Sequence, residues 1–269
     1  MNDLFAAVVL GIVEGITEFL PISSTGHLII VNQFIGFTGS FANMFDVVIQ
    51  MGAILSVLVY YRRRLVPFGG LSLPEKQKCI ALWKKTIVGV VPALFIGALA
   101  GNVVEEHLFN PIVVATALLV GGIVLVVIEK RKHSFTIHST EQLSYRTALL
   151  IGLIQCLAMI PGTSRSAATI IGAMLLGASR IVAAEFSFFL AVPTLTAASA
   201  FSLLKNGIAY STHQWLVLAI GFSVSFVVAW IVIAAFVGYI SRKDFRSFGV
   251  YRVILGIIVL VYFKLLVSA

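Results

Sequence analysis

Two short polar segments interrupt apolar stretches of this chain, and their residue types suit phosphoryl transfer. The first, EGITEFLPISSTGH, covers residues 14–27, and the second, PGTSRS, covers residues 161–166. In each segment a proline, which ends a helix, precedes several hydroxyl side chains. Charged groups in apolar surroundings are costly and usually functional, so both segments predict a site.

The first segment places two carboxylates on one predicted helix face. Glu14 and Glu18 are four residues apart, which puts their side chains about 6 Å from each other. Because two like charges repel strongly in apolar surroundings, a compensating cation is expected. Oxygen ligands of this kind suit Mg²⁺ or Ca²⁺. The alternative is a protonated glutamate that hydrogen-bonds a neighbouring helix.

Hydroxyl groups and a histidine follow these carboxylates. Ser23, Ser24 and Thr25 are suited to cap a new helix after Pro21, and a helix start of this kind attracts phosphate. His27 has the side chain of a general acid or base near neutral pH. Two simpler interpretations stay open: the hydroxyls only cap the helix, or the histidine is a hydrogen-bonded structural residue.

The second segment supplies a cation. Arg165 offers forked donors that match phosphate oxygens, and hydroxyl groups surround it in sequence at Thr163, Ser164 and Ser166. An arginine in apolar surroundings needs a partner, either one of the two glutamates or an anionic ligand. A purely structural bridge between arginine and glutamate is the alternative.

Membrane helices must position these residues. The 269 residues are 59% hydrophobic and 11% charged, with a mean hydropathy of +1.05, as expected of a polytopic membrane protein. The first residues lack the basic region of a secretory signal peptide, and the two cysteines suggest neither a disulfide nor a metal site. Six apolar runs are long enough to span a bilayer: residues 43–61, 85–104, 111–129, 182–204, 214–240 and 249–267.

The net charge of +8 follows membrane topology rather than a nucleic-acid surface. Basic residues cluster in three predicted loops, at 62–85, 130–146 and 242–252, and basic loops belong in the cytoplasm. The loop at 102–111, with two glutamates and no Lys or Arg, is expected outside. This threading predicts both chain termini outside and no nucleic-acid partner.

The two polar segments sit inside further apolar regions, at residues 4–36 and 145–177. Each region is predicted to be a re-entrant helix pair followed by three full spans. Three is an odd number, so the second copy is inverted, an arrangement whose sites lie near the bilayer midplane. The predicted fold is one all-α polytopic membrane domain, 1–269, with inverted repeats at about 1–130 and 145–269 joined by a basic cytoplasmic loop. Ordinary helical hairpins or single kinked spans are the alternative.

Together the two segments predict a site for phosphoryl transfer, which is catalysed mainly by positioning and charge neutralisation. The chain has no large soluble domain. The predicted substrate is therefore a lipid phosphate or diphosphate, whose head group enters the site while its tail stays in the bilayer.

At these residues the chain resembles the undecaprenyl-diphosphate phosphatases of bacteria, the bacitracin-resistance type. The matching motifs are EGITEFLPISSTGH and PGTSRS, and the resemblance extends over the full length, including EFSFFLAVP at 185–193. It implies hydrolysis of undecaprenyl diphosphate to undecaprenyl phosphate and inorganic phosphate, recycling of this lipid carrier for cell-wall synthesis, and bacitracin resistance. It also implies dependence on Mg²⁺ or Ca²⁺, and a multi-pass protein of the bacterial inner membrane whose site faces the periplasm or outside.

The resemblance further implies residue roles. Glu14 and Glu18 are the acidic, metal-binding pair, Ser24 is the nucleophile, His27 the acid or base, and Arg165 the diphosphate clamp. Substrate contacts are predicted for the other hydroxyl groups of the two segments: Ser23, Thr25, Thr163, Ser164 and Ser166. Attack by water instead of serine stays open, as do the physiological metal, the lipid chain length and the oligomeric state, with which a homodimer is compatible.

Three other functions stay open. A type 2 phosphatidic-acid phosphatase would share a short SGH-like stretch, but the chain lacks the KxxxxxxRP pattern that should precede it. A lipid flippase or transporter could use the same inverted repeat, with or without an enzyme activity. A purely structural membrane protein would not require charged residues at Glu14, Glu18 and Arg165.

Overall fold

The computed structural model describes residues 3–108, 110–131, 134–206 and 210–266. Residues 1, 2, 132 and 267–269 fall within predicted segments but lie outside this described part. The described residues form these α-helices: α1 (Asp3–Thr17), α2 (Ser24–Ile35), α3 (Ser40–Tyr60), α4 (Arg62–Leu65), α5 (Leu73–Leu108), α6 (Pro111–Lys130), α7 (Tyr145–Gln155), α8 (Arg165–Leu175), α9 (Arg180–Asn206), α10 (Thr212–Ile240) and α11 (Arg246–Leu266). Two 3₁₀ turns, Thr140–Gln142 and Cys156–Met159, precede and follow α7.

Six of the described helices, α3, α5, α6, α9, α10 and α11, are long and apolar enough to cross a membrane. They confirm the six predicted spans. Large apolar side chains such as Leu99 and Ile112 are 71% and 62% exposed, as expected of surfaces that face lipid. The fold is thus all-helical in its described part, and the chain is a multi-pass membrane protein.

The start of α5 corrects one predicted boundary. This helix begins at Leu73 instead of residue 85, so the lysines at 76, 78, 84 and 85 lie on a helix and not in a loop. The added turns begin LPEKQK, with a proline in the first turn, where it is tolerated because helix-start N–H groups have no intrahelical partner. Hydropathy alone cannot detect such polar turns at the end of an apolar span.

The two polar segments lie where short helices end and new ones begin. Helices α1 and α2, with 15 and 12 residues, flank the first break, and α7 and α8, with 11 residues each, flank the second. Each is shorter than the roughly 20 residues that a spanning helix needs. The structure therefore confirms that both helices are broken at the predicted segments.

Glycines let the first helix of each pair pack closely against a long helix from the other half of the chain. Helix α1 packs against α10, and α7 packs against α5. A Cβ atom added to Gly11 would lie 2.8 Å from the carbonyl oxygen of Gly221. One added to Gly152 would overlap the carbonyl oxygen of Gly89. Small residues at these crossings permit close contact between backbones, as is common for membrane helices.

We expect Gly152→Val to destabilise the protein, because the added side chain would push α7 away from α5. Overpacking of this kind typically costs about 1–3 kcal/mol, and it should lower the thermal unfolding midpoint of the protein in detergent. Gly97→Ala on α5 is the matched control: nothing lies within 4 Å of its added Cβ, so the midpoint should stay or rise slightly. An unchanged midpoint for Gly152→Val would show that the crossing is not tightly packed.

Aromatic side chains fill the core around α9. Phe19 and Phe188 are fully buried, and their rings meet edge to face with centroids 5.3 Å apart. Beside this core, Arg64 donates a hydrogen bond of 2.8 Å to Glu185 and one of 2.6 Å to Thr140. A basic residue next to the inner end of α3 is thus held against α9, which fixes these two helices relative to each other.

Candidate active site

The two breaks line one cavity of about 220 Å³. Its polar side chains come from both breaks and from three helices beside them: Glu18, Ser23, Ser24, Thr25, Ser164, Arg165, Gln50, Gln155 and Thr194. A larger cavity of about 670 Å³ shares Thr25 and Gln50 with it and is also lined by residues 37–40. The structure thus brings the two polar segments together, although they lie far apart in sequence.

The second helix of each pair begins with the same unusual backbone. The N-cap residues Ser23 and Ser164 have φ angles of 74° and 72°, a region that costs a non-glycine residue about 1–3 kcal/mol. Each serine oxygen accepts a hydrogen bond from the N–H three residues ahead, of Gly26 at 3.3 Å and of Ala167 at 3.2 Å. This confirms that one of the predicted hydroxyls caps α2. Strained backbone of this kind is typical of functional sites.

Glu18 connects the two breaks. Its Oε2 atom accepts a hydrogen bond of 2.6 Å from the Ser24 hydroxyl, and its Oε1 atom accepts one of 2.8 Å from Nη2 of Arg165. The glutamate is only 6% exposed, so water screens this ion pair little. A carboxylate that accepts a serine proton and is oriented by a third group is an arrangement that activates a nucleophile.

Arg165 is held in place while one of its donors stays free. Its Nη1 donates a hydrogen bond of 2.8 Å to the carbonyl of Ser187, and its guanidinium lies 6.0 Å from the ring centroid of Phe19. The Thr169 hydroxyl in turn donates to the Ser187 hydroxyl at 2.7 Å. The Nε atom of Arg165 is buried without a hydrogen-bond partner. The geometry therefore leaves a fixed cationic donor for a ligand.

The other hydroxyls of the second break differ in their surroundings. Ser164 lines the cavity, and its hydroxyl lies 3.0 Å from that of Ser166. Ser166 donates a hydrogen bond of 2.7 Å to the carbonyl of Leu20, which ties the second break to the first. Thr163 lines a separate apolar groove of about 460 Å³. Of these three predicted substrate contacts, the structure places the Ser164 side chain at the cavity.

His27 lies beside the first break and points to α11. Its Nδ1 atom lies 2.7 Å from the carbonyl oxygen of Ser23, and its Nε2 atom lies 2.7 Å from the hydroxyl of Tyr251. A carbonyl can only accept, so Nδ1 carries the proton, and Nε2 of the neutral ring accepts from the tyrosine. Both ring nitrogens are therefore occupied, and neither bonds to the hydroxyl of Ser24.

Glu14 is fully buried, and neither of its carboxylate oxygens has a hydrogen-bond partner. A buried carboxylate without a donor needs a proton or a cation, so these two oxygen atoms fit the predicted Mg²⁺ or Ca²⁺. Within the described part of the chain, no three His, Cys, Asp or Glu side chains are grouped to hold a metal. The two glutamates would thus supply part of a coordination shell, as Mg²⁺ commonly has when substrate phosphates and water complete it.

Arg252 corrects the predicted third basic loop. The prediction places it in the cytoplasm, whereas the structure places it within α11 with an exposed fraction of 0%. Its guanidinium donates to the carbonyl of Pro21 at 3.2 Å and to those of Gly162 and Thr163 at 3.1 and 2.9 Å. Broken helices expose such carbonyls, which must be satisfied internally at membrane depth. A cation beside an otherwise apolar span was the signal for this role.

Gln50, Gln155 and Thr194 also line the cavity, although no motif marks them. Only the repeat contains a signal for one of them. Gln155 lies nine residues before the cap Ser164, just as Glu14 lies nine residues before the cap Ser23.

Comparison with known proteins places this site in a family. The chain matches the family model described as bacitracin resistance protein BacA over residues 7–258. It is 51% identical over 267 residues to undecaprenyl-diphosphatase 1 of Clostridioides difficile, covering 98% of this chain and 97% of that protein. It is 49% identical over 274 residues to the undecaprenyl-diphosphatase of Limosilactobacillus fermentum, covering 99% of each chain. Since these matches run through both breaks and nearly the whole length, the chain belongs to the bacitracin resistance protein BacA family.

Proposed function

We propose that this protein is an integral membrane phosphatase that hydrolyses undecaprenyl diphosphate to undecaprenyl phosphate and inorganic phosphate. The observation that carries the proposal is the double contact of Glu18, which holds the Ser24 hydroxyl and the Arg165 guanidinium at one cavity. The relatives are named for this activity. The proposal includes recycling of the lipid carrier for cell-wall synthesis and resistance to bacitracin, the property in the family's description.

The contact between Ser24 and Glu18 supports serine, instead of water, as the first nucleophile. Glu18 takes the serine proton while the Ser24 oxygen bonds to the terminal phosphorus. The bond from that phosphorus to the bridging oxygen breaks, and its electron pair leaves with undecaprenyl phosphate. The free Nε donor of Arg165 is available to a phosphate oxygen, where it would stabilise the developing charge.

Glu14 and Glu18 would hold the divalent cation. When bound, Mg²⁺ or Ca²⁺ would neutralise phosphate oxygens of the substrate. Ser23, Thr25 and Ser164, which line the cavity, are available for hydrogen bonds to the head group. An acid or base role for His27 would require its ring to turn away from Tyr251.

The element order supports the inverted repeat. Two short helices precede three long ones in each half of the chain, apart from the four-residue α4. The second helix of each pair starts at a serine with positive φ, and the first packs against the other half. We therefore assign α1 with α2 and α7 with α8 to re-entrant pairs in a single membrane domain.

The position of the larger cavity supports access from outside. That cavity is lined by residues 37–40, before α3, whereas the basic residues Arg62, Arg63 and Arg64 follow the other end of this helix. Basic ends of membrane helices lie in the cytoplasm. The site would thus open to the outer face of the bacterial inner membrane, where a lipid head group could enter it.

Metal removal tests this proposal. The purified protein should release inorganic phosphate from undecaprenyl diphosphate in the presence of Mg²⁺ or Ca²⁺, and EDTA should lower the rate about 10²-fold or more. Glu14→Gln should raise the cation concentration needed for half the maximal rate, since it removes one carboxylate from the site. Glu75→Gln, at an exposed glutamate of α5, is the control and should leave that concentration unchanged. A full rate in EDTA would refute the metal-dependent mechanism.

A further inference from the structure

Gln155 is a buried polar residue of the cavity with an unused acceptor. It is 2% exposed and lies at the end of α7. Its Nε2 atom lies 3.4 Å from the hydroxyl oxygen of Thr194, a contact that orients the amide. Its Oε1 atom is buried without a hydrogen-bond partner. A buried polar atom of this kind is rare in folded proteins and indicates the position of a ligand or a water molecule.

The chemistry of this atom distinguishes between possible occupants. An amide oxygen only accepts hydrogen bonds, and so do the oxygens of an ionised diphosphate. The free Nε donor of Arg165 therefore suits a phosphate oxygen, while Oε1 of Gln155 suits a donor such as water. Both residues line the same cavity of about 220 Å³. Since a water molecule occupies roughly 30 Å³, this volume admits a phosphate group together with water.

We propose that Gln155 binds and orients the water molecule that releases phosphate from Ser24. This inference rests on the proposed function and adds its second step. The water oxygen bonds to the phosphorus of phosphoserine, the bond from that phosphorus to the serine oxygen breaks, and its electron pair stays on that oxygen. Glu18 returns the proton it took from Ser24, and both water protons remain on the released dihydrogen phosphate ion.

A neutral side chain suits this position. Gln155 occupies the same place relative to its cap as Glu14 does in the first break. A second carboxylate facing the cavity beside Glu18 would repel the phosphate, whereas an amide accepts a water proton without adding negative charge. Other phosphoryl-transfer enzymes orient an attacking water with a glutamine in the same manner. The two breaks would thus divide the work: one carries the nucleophile, and the other carries the clamp and the water site.

Product release in Gln155→Met tests the inference, because this variant keeps the side-chain volume but lacks the acceptor. The first product, undecaprenyl phosphate, should appear as a rapid burst of about one equivalent per enzyme. Inorganic phosphate release should fall about 10²-fold, as expected when a reacting group is misplaced. With substrate labelled in its terminal phosphate, acid quenching should find the label on Ser24. Gln155→Glu, which keeps an acceptor oxygen, should lose less activity than Gln155→Met.

Gln77→Met, at an exposed glutamine of α5, is the matched control and should resemble wild type in both products. A parallel fall of both products, or no change in either, would overturn the role of Gln155. A shift in the cation concentration required would also overturn it, because Gln155 would then be a metal ligand. If the wild-type protein releases no phosphate, the proposed function itself fails, so the two failures are distinct.

Discussion

Arg165→Ala is expected to lower kcat/KM for phosphate release at least about 10³-fold, as loss of an arginine that stabilises a phosphoryl transition state does. The substitution removes the free donor at Nε and also leaves the Glu18 carboxylate without its cation. A buried carboxylate without that cation would hold its own proton more tightly and accept the Ser24 proton less readily. The measurement is the steady-state rate of inorganic phosphate release from undecaprenyl diphosphate.

Two further variants separate charge from geometry at this position. Arg165→Lys retains the charge but cannot contact Ser187, Glu18 and a phosphate oxygen together, so its rate should lie between those of wild type and Arg165→Ala. Arg242→Ala removes an exposed cation from the end of α10 and should retain the wild-type rate. A rate for Arg165→Ala within threefold of wild type would show that the arginine is only a structural bridge.

Arg252→Met is expected to disturb both breaks at once. The guanidinium donates to carbonyls of Pro21, Gly162 and Thr163, and the substitution would leave these buried acceptors unsatisfied. Hydrogen bonds to charged groups contribute about 1.5–3 kcal/mol each, so the free energy of unfolding should fall by about 3 kcal/mol or more. The readouts are the thermal unfolding midpoint in detergent and the rate of phosphate release, which should fall together.

The matched control for this variant is Arg242→Met, which introduces the same change at an exposed cation and should alter neither readout. Arg252→Lys is informative as well, because a lysine keeps the charge but has fewer donors in a different geometry. It should recover part of the stability. If Arg252→Met kept both the midpoint and the activity of wild type, the breaks would not depend on this arginine.

Much of the fold follows from local patterns in the sequence. Apolar length is enough to find the six long helices, because the bilayer sets a minimum span. Proline followed by hydroxyl residues is enough to find both breaks, since this pattern ends one helix and caps the next. The pairing of Arg165 with Glu18 was one of three predicted choices, and the structure identifies which partner the arginine contacts.

The parts that sequence could not supply depend on side-chain direction. Arg252 looks like a loop residue beside other basic residues, and only the packing of α11 against α6 directs it toward both breaks. His27 shares a segment with Ser24, yet its ring turns toward Tyr251 on a helix more than 200 residues away. Gln155 carries no charge and belongs to no motif. Its importance depends on an unpartnered atom in a cavity, which no spacing predicts.

The central claim is that Ser24, Glu18 and Arg165 form one site for hydrolysis of a prenyl diphosphate. Its most direct test is phosphate release from undecaprenyl diphosphate by the purified, Mg²⁺-supplied protein and by its Ser24→Ala and Glu18→Gln variants. Wild type should yield undecaprenyl phosphate and inorganic phosphate in equal amounts, and each variant, folded as judged by its unfolding midpoint, should be slower by about 10²-fold or more. Variants that release phosphate at the wild-type rate, or a folded wild-type protein that releases none, would contradict the claim.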